Sequence, residues 1–318
     1  MSTAFVTGAS GFTGGALTKR LVAEGWSVNA LARSEKSAKA VRAAGATAVK
    51  GDLDDVTAMT GGAKGCDVVF HCAAHLGEWG NASDFERVNV TGTANAVQAA
   101  KEAGVPRVVH VGTEAALMHG EPLVNVDETA PLRPDSKALY SRTKARAEQV
   151  ARQGGAVVVR PRLVWGPGDT TILPALSEAV RRKRFAWIGG GTHRTSTTHV
   201  DNVVEGLLLG AEKGQDGEAY FVTDGEPQVF REFVTRLLAT QGIEAPDKSV
   251  PRAIPGALAT AGEAAWRVLP LPGQPPVTRL AFWLASQECT IDISRARRDL
   301  GYSPITSVDQ GMEELRST

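Results

Sequence analysis

The stretch Thr7-Gly8-Ala9-Ser10-Gly11-Phe12-Thr13-Gly14 constrains this chain more than any other. Its glycines recur every third residue, after the apolar run Ala4-Phe5-Val6 and at the start of a helical pattern from Thr13 to Glu24. Gly8 permits a tight turn. Gly11 lets the backbone approach a pyrophosphate with no Cβ in the way, and Gly14 lets the helix pack close on the strand. The first N–H groups of that helix then face phosphate. A strand, such a turn and a helix predict a dinucleotide site cradled by Gly8, Ser10, Gly11, Phe12, Thr13 and Gly14.

The pattern continues beyond the turn. Apolar runs at 28–32, 47–49, 67–71, 107–111 and 156–160 alternate with helical patterns at 35–44, 88–103 and 137–152. Strands alternating with helices imply βαβ units, hence an α/β fold with a doubly wound parallel Rossmann sheet. A chain of 318 residues has room for about two domains. Residues 1–165, with segments returning near 200–225, are expected to form the nucleotide-binding part. Residues 166–199 and 226–318 are expected to form a smaller, mostly helical C-terminal cap over the substrate. Helical patterns at 171–184, 200–212 and 230–241 and a strand at 220–222 fit this division, and the proline-rich stretch 270–276 reads as a loop.

Composition narrows the partners. The 35 basic residues balance 35 acidic ones, which argues against a nucleic-acid surface. Arg33, Lys36, Lys39 and Arg42 oppose only Glu35 locally, a cluster suited to one phosphate. The basic run Arg181-Arg182-Lys183-Arg184 reads as a solvated helix end. Cys66, Cys72 and Cys289 form no C-x-x-C pair, so no disulfide framework and no metal site are expected, and a reducing compartment fits. Without a leader or a long apolar run, a cytoplasmic location and no integral membrane segment are expected. Residues 253–285 are apolar-rich, with Trp266, Phe282 and Trp283, but prolines 255, 270, 272, 275 and 276 interrupt them. A buried or substrate-covering helix pair is expected there in preference to a membrane-associated patch. His71, His110 and His199 belong to no catalytic or metal constellation and read as satisfied polar groups near strands.

The end of the second strand decides between cofactors. A carboxylate there would bind a ribose hydroxyl, whereas an arginine suits a 2′-phosphate. The chain reads Leu31-Ala32-Arg33-Ser34, with Lys36 close behind, which predicts NADP(H) in preference to NAD(H). After the third strand, Asp52 is placed to accept from an adenine amine, with Leu53 against the ring. A helix N-cap is the competing role for Asp52.

Tyr140-Ser141-Arg142-Thr143-Lys144 carries the chemistry. Spacing i, i+4 puts Tyr140 and Lys144 on one helix face. A nearby ammonium favours phenolate and lowers the tyrosine pKa, so the phenol exchanges a proton with a substrate oxygen. Thr113, at the carboxyl end of the fifth strand, offers a hydroxyl to the same oxygen.

These motifs together resemble the extended short-chain dehydrogenase/reductase family. Its T-G-x-x-G-x-x-G turn matches Thr7 to Gly14 and its Y-x-x-x-K matches Tyr140 to Lys144. Phe70-His71-Cys72-Ala73-Ala74 is similar to its fourth-strand motif, which implies that Cys72, Ala73 and Ala74 lie beside the adenosine ribose. The segment opening at Asn89 resembles a site-ordering helix start. Arg160 to Gly168 resembles the nicotinamide-side loop, which implies cofactor contacts from Pro161 and Val164. His199-Val200-Asp201-Asn202 resembles the segment that returns the chain to the first domain. The resemblance makes Tyr140 the acid/base and Thr113 the usual serine's counterpart. Lys144 becomes the residue that holds the nicotinamide ribose.

Ala73 to Gly80 and Thr113-Glu114-Ala115 most resemble the 3β-hydroxysteroid dehydrogenase-like and dihydroflavonol reductase-like branch. The reaction implied is reduction of a ketone, or oxidation of a secondary alcohol, on a bulky hydrophobic substrate. Trp79, Glu114, Met118 and Trp165, with Trp187 and Trp283, are candidates for its pocket. Two alternatives stand: a nucleotide-sugar epimerase or dehydratase of the same family, and a non-catalytic NADP-binding redox sensor. Dehydratases pair two acids after the Ser/Thr, whereas Ala115 follows Glu114 here. Redox sensors lose the tyrosine. The resemblance also implies a homodimer through helices near 84–103 and 137–152.

Overall fold

The computed structural model describes residues 2–269 and 271–317. Seven strands form one all-parallel sheet: β1 (Thr3–Thr7), β2 (Ser27–Ala32), β3 (Thr47–Lys50), β4 (Val68–His71), β5 (Arg107–Val111), β6 (Val157–Pro161) and β7 (Ala219–Val222). Their order is β3-β2-β1-β4-β5-β6-β7, so the winding reverses between β1 and β4. At such a reversal the connections leave in opposite directions and open a crevice at the carboxyl ends of the strands.

Both faces of the sheet are buried, as parallel sheets require. Ala4 and Val6 of β1 point to one face, where they join Leu17 and Leu21 of α1 (Phe12–Ala23), Val41 of α2 (Glu35–Ala43) and residues of a returning helix at 200–213. Phe5 points to the other, against Met59 and Ala63 of α3 (Val56–Ala63) and Ala96, Ala99 and Ala100 of α4 (Gly92–Glu102). The expected helix at 88–103 begins differently: a short turn at 82–85 runs into a π-helical turn over Glu86–Thr91 before α4 starts. α5 (Leu139–Gln153) lies beside α4, and Glu148 from it pairs inside the protein with Arg160 of β6, Nε to Oε2 at 2.9 Å.

The remaining helices are α6 (Ile172–Arg181), α7 (Val200–Lys213), α8 (Phe230–Ala239), α9 (Ala253–Val268), α10 (Arg279–Ser286) and α11 (Val308–Arg316). Of these, α7 packs on the central sheet against β5 and β6. A small four-stranded sheet joins Gln228–Val229, Arg194–Thr195, Cys289–Ile291 and Leu123–Val126. α9 and α10 are the helix pair expected at 253–285. The proline loop lies between them, and Pro270 of it lies outside the described residues. Among the described residues, no helix is long and apolar enough to cross a membrane.

Candidate active site

The crevice holds a cavity of about 920 Å³ that runs from the glycine turn to α6, α8 and α10. Gly8, Ser10, Gly11, Phe12, Thr13 and Gly14 line one end. The turn tolerates no side chain at its ends: a Cβ on Gly8 (φ +74°) would lie 2.6 Å from the Ala73 nitrogen, and one on Gly14 would lie 2.3 Å from the Gly8 oxygen. Gly11 caps α1 with no side-chain acceptor, and no acid stands in the first turn. The N–H groups there are left to a ligand, and the dipole favours an anion.

Arg33 lies on the cavity wall and is exposed. Ser34 and Lys36 are off the wall, which departs from the sequence reading. Ser34 is the N-cap of α2, accepting from Ser37 N at 3.2 Å, and this start turns Lys36 outward while Ser37 reaches the cavity. Asp52 and Leu53 line the wall after β3. Asp52 is not a helix cap, because Asp55 takes that position on α3.

Cys72, Ala73 and Ala74 line the cavity beyond β4. His71 behind them is buried and joins two threonines, with Nδ1 2.7 Å from Thr7 Oγ1 and Nε2 3.0 Å from Thr93 Oγ1. Thr93 donates to the Asn89 carbonyl at 2.6 Å, and Thr7 accepts from Ala73 N at 3.3 Å. These bonds fix His71 neutral, donating from Nε2 and accepting at Nδ1. Burial, assisted by the Lys144 charge, pulls its pKa down to about 3, and His110, stacked 5.2 Å away, is lowered for the same reasons. Between pH 3 and 6.5 the unfolded chain therefore binds more protons than the folded one, and stability falls as pH drops below 6.5. Each ring that stays neutral is expected to cost about 1.4 kcal/mol per pH unit below 6.5. Urea titrations at pH 7 and pH 5 check this, and an unchanged midpoint would show that neither ring stays neutral.

At the centre, Thr113, Glu114, Tyr140 and Lys144 all line the cavity. Thr113 Oγ1 donates to Glu114 Oε2 at 2.7 Å and accepts from Ala115 N at 3.2 Å. The Tyr140 hydroxyl lies in hydrogen-bond reach of Thr113, a contact that favours the phenolate. Lys144 Nζ donates to the Val111 carbonyl at 2.7 Å and lies 3.5 Å from His110 Nε2. Asn89, buried in the π-helical turn, donates to Thr143 Oγ1 at 3.1 Å and accepts from His75 N at 2.7 Å, tying the loop after β4 to the turn of α5 between Tyr140 and Lys144.

The electrostatics correct one expectation. The tyrosine pKa is raised, not lowered: burial acts first, the Glu114 carboxylate acts in the same direction, and the Thr113 bond opposes both. Lys144 spends its ammonium on Val111, and burial lowers its own pKa to about 8. Tyr140 is thereby a protonated phenol at neutral pH.

Glu114 is paired as well. Arg162 Nη1 donates to Glu114 Oε1 at 2.8 Å, both side chains nearly without exposure, and Arg162 Nη2 reaches Thr195 Oγ1 at 3.3 Å. Arg162 lines the cavity, and its Nε has no partner among the described residues. Sequence reading missed this residue, since nothing local marks a partner 48 positions from Glu114.

Pro161 and Val164 lie on the wall, and beyond them it turns apolar, with Leu76, Ile172, Leu176, Val234, Leu280 and Leu284. Trp79, Met118 and Trp165 are not part of it. Trp165 is fully buried and donates to Asp224 Oδ2 at 2.8 Å. Met118 packs with Leu280 and Trp283 in a separate cluster, and Trp79 lies under the Arg267 guanidinium at 5.7 Å. Trp187 is core beside Trp165. Trp165 and Trp187 thus fill the interior, and apart from Phe230 aliphatic side chains shape this end of the cavity.

Comparison with known proteins agrees with this geometry. The model of the 3-beta hydroxysteroid dehydrogenase/isomerase family matches residues 5–252. A relative from Stigmatella aurantiaca, 4-hydroxy-2-methyl-3-oxo-4-farnesyl-3,4-dihydroquinoline-1-oxide ketoreductase, is 46% identical over 317 residues, covering 98% of this chain and 95% of its own length. The 2-alkyl-3-oxoalkanoate reductase of Stenotrophomonas maltophilia is 36% identical, covering 98% of both chains. Among solved structures, that of gox2253 superposes with a TM-score of 0.80 at 26% identity, covering 100% of this chain and 98% of the other. A cavity built from a dinucleotide turn, a Thr–Tyr–Lys centre and an apolar far wall is what these matches lead one to expect, and the chain belongs to the 3-beta hydroxysteroid dehydrogenase/isomerase family of extended short-chain dehydrogenases/reductases, oxidoreductases that use a nicotinamide cofactor on CH–OH and C=O groups.

Proposed function

We propose that the protein is an NADP(H)-dependent ketoreductase for a small, bulky hydrophobic ketone. One observation carries the reading: a phenol held protonated by burial, bonded to Thr113, between a phosphate cradle and an apolar wall. The cofactor fits the residues present, because the glycine turn leaves space that a Cβ would fill and α1 leaves its first N–H groups open. Gly8 to Gly14 would hold its pyrophosphate, Arg33 and Ser37 a 2′-phosphate, Asp52 and Leu53 its adenine, and Cys72 to Ala74, Pro161, Val164 and Lys144 the ribose and nicotinamide side. When bound in reduced form, it supplies a hydride to the carbonyl carbon.

The chain's own residues supply the proton and the field. Tyr140 donates its phenolic proton to the carbonyl oxygen as charge develops there. Thr113 orients the phenol, and its hydroxyl proton, when released from Glu114, stabilises the same oxygen. The phenolate left behind is stabilised by Lys144, whose ammonium then exchanges the Val111 carbonyl for the phenolate. Glu114 does not serve as a dehydratase acid in this reading, because it is taken up by Arg162 and no second acid follows it. The division into a nucleotide-binding part and a substrate cap belongs to the same proposal.

The test is NADPH consumption against a panel of 2-alkyl-3-oxoalkanoates, prenylated quinolones and steroid ketones. Turnover of at least one is expected, and tight NADPH binding without any turnover would favour a sensor. The same assay reads the cofactor choice. Arg33→Ala removes charge-assisted bonds to a phosphate and is expected to raise the KM for NADPH about tenfold to a hundredfold, leaving NADH unchanged. An unaltered preference would overturn the role given to Arg33.

A further inference from the structure

We propose that the outer face of the cap docks on an anionic lipid surface. The proposal rests on surface chemistry and does not depend on the ketoreductase reading. Eight large apolar side chains are markedly exposed among the described residues, and five of them, Ile254, Leu258, Val268, Leu269 and Leu271, lie on or just after α9.

α9 is polarised in the opposite sense to an ordinary surface helix, which turns its charges outward. Pro255, Ala259 and Glu263, four residues apart, form its buried face. Its only acid is thus inside, where Glu263 accepts from Arg279 Nη1 at 2.7 Å. The opposite face carries Ile254, Ala257, Leu258, Ala261, Ala264 and Val268, all exposed, with no polar group among them. At 3.6 residues per turn these cover roughly a third of the circumference. A helix of this kind lies in a membrane interface; it does not span one.

Charge complementarity selects the occupant. Ser249–Val250 pairs with Trp187–Ile188, and this brings the run Arg181 to Arg184 beside the segment that leads into α9. Lys248 and Arg252 join the run there, and the Arg252 side chain lies over Gly189. All six of these bases are exposed. The nearby acids are Glu178, Glu244 and Asp247, of which Glu178 is paired with Arg182 and Asp247 with Arg231. An apolar helix face flanked by a basic cluster matches a bilayer with anionic headgroups.

The helices next to this surface also bound the cavity. α9 packs on α10, whose Leu280 and Leu284 line the apolar wall, and α6, which ends in the basic run, lines it with Ile172 and Leu176. Leu76 is both exposed and on the wall.

Sedimentation of the full chain with vesicles tests this, using equal phosphatidylcholine and phosphatidylglycerol in one set and phosphatidylcholine alone in another. The protein is expected to pellet with the anionic vesicles, at least tenfold more weakly with neutral ones, and to be released by high salt. Leu258→Glu combined with Val268→Glu is expected to weaken binding at least tenfold while leaving NADPH binding and thermal melting unchanged. Alanines at 181–184 are expected to abolish the difference between the two vesicle types. Failure to pellet with anionic vesicles, or full binding by the double glutamate variant, overturns the proposal. A dimer seen by light scattering that the glutamates dissociate, with the protein left in the vesicle supernatant, also overturns it and assigns the face to a second copy.

Discussion

Tyr140→Phe is expected to slow ketone reduction by about a hundredfold to ten-thousandfold, the usual span for loss of a positioned proton donor. The effect belongs to kcat more than to KM, because the phenol acts on charge that appears only in the transition state. Phenylalanine keeps the ring's packing against the cluster of Ala115, Leu280 and Trp283. It removes only the bond to Thr113. NADPH affinity and melting temperature should therefore stay near wild type, and stopped-flow binding beside steady-state rates separates the two. A variant that keeps full activity would remove Tyr140 from the chemistry. The raised phenol pKa adds a direction: Tyr140 remains protonated well above neutral pH, so reduction should not lose its donor on the alkaline side until after Lys144, at about 8, has given up its charge.

Arg162→Met is expected to destabilise the fold by about 3–5 kcal/mol. Removing one member of a buried ion pair leaves the other charge uncompensated, and that penalty exceeds the net value of the pair. Glu114 would keep only Thr113 as a hydrogen-bond partner, and it is almost fully buried. Arg162→Met with Glu114→Gln removes both charges and should recover much of the loss, so urea titrations of the two single variants and the double form a cycle with a large coupling term. Additive losses would mean that the pair is not formed in solution. The cycle also has a catalytic readout. Without Arg162 the carboxylate raises the phenol pKa further, and Glu114→Gln relieves that effect, so the alkaline limb of the rate profile should move in opposite directions in the two variants.

The nucleotide side of the protein was legible because its determinants are contiguous. Thr7 to Gly14 and Tyr140 to Lys144 each fit within a turn or two of chain, where spacing alone fixes which groups share a face. The strand runs at 28–32, 47–49 and 107–111 reappear within one or two residues as β2, β3 and β5. The apolar end of the cavity was less legible because its wall is drawn from α6, α8 and α10, three segments with no shared period. Trp165 and Trp187 show the limit: a large apolar residue looks the same in sequence whether it fills a core or faces a ligand, and burial decides only after folding. The tyrosine pKa was misjudged for a related reason. Lys144 is four residues from Tyr140 and visible in sequence, whereas the desolvation and Glu114 that prevail are tertiary facts.

The small four-stranded sheet has a consequence for how the protein comes into being. Its strands come from 123–126, 194–195, 228–229 and 289–291, and it is completed only when the last of these has left the ribosome. Six of the seven central strands are present by Pro161. At a synthesis rate of ~5–20 residues per second, the nascent chain waits on the order of 10 s with its sheet edge at β6 unpaired and its apolar cavity wall open. During that interval an unpaired strand edge and uncovered apolar surface leave the chain open to aggregation.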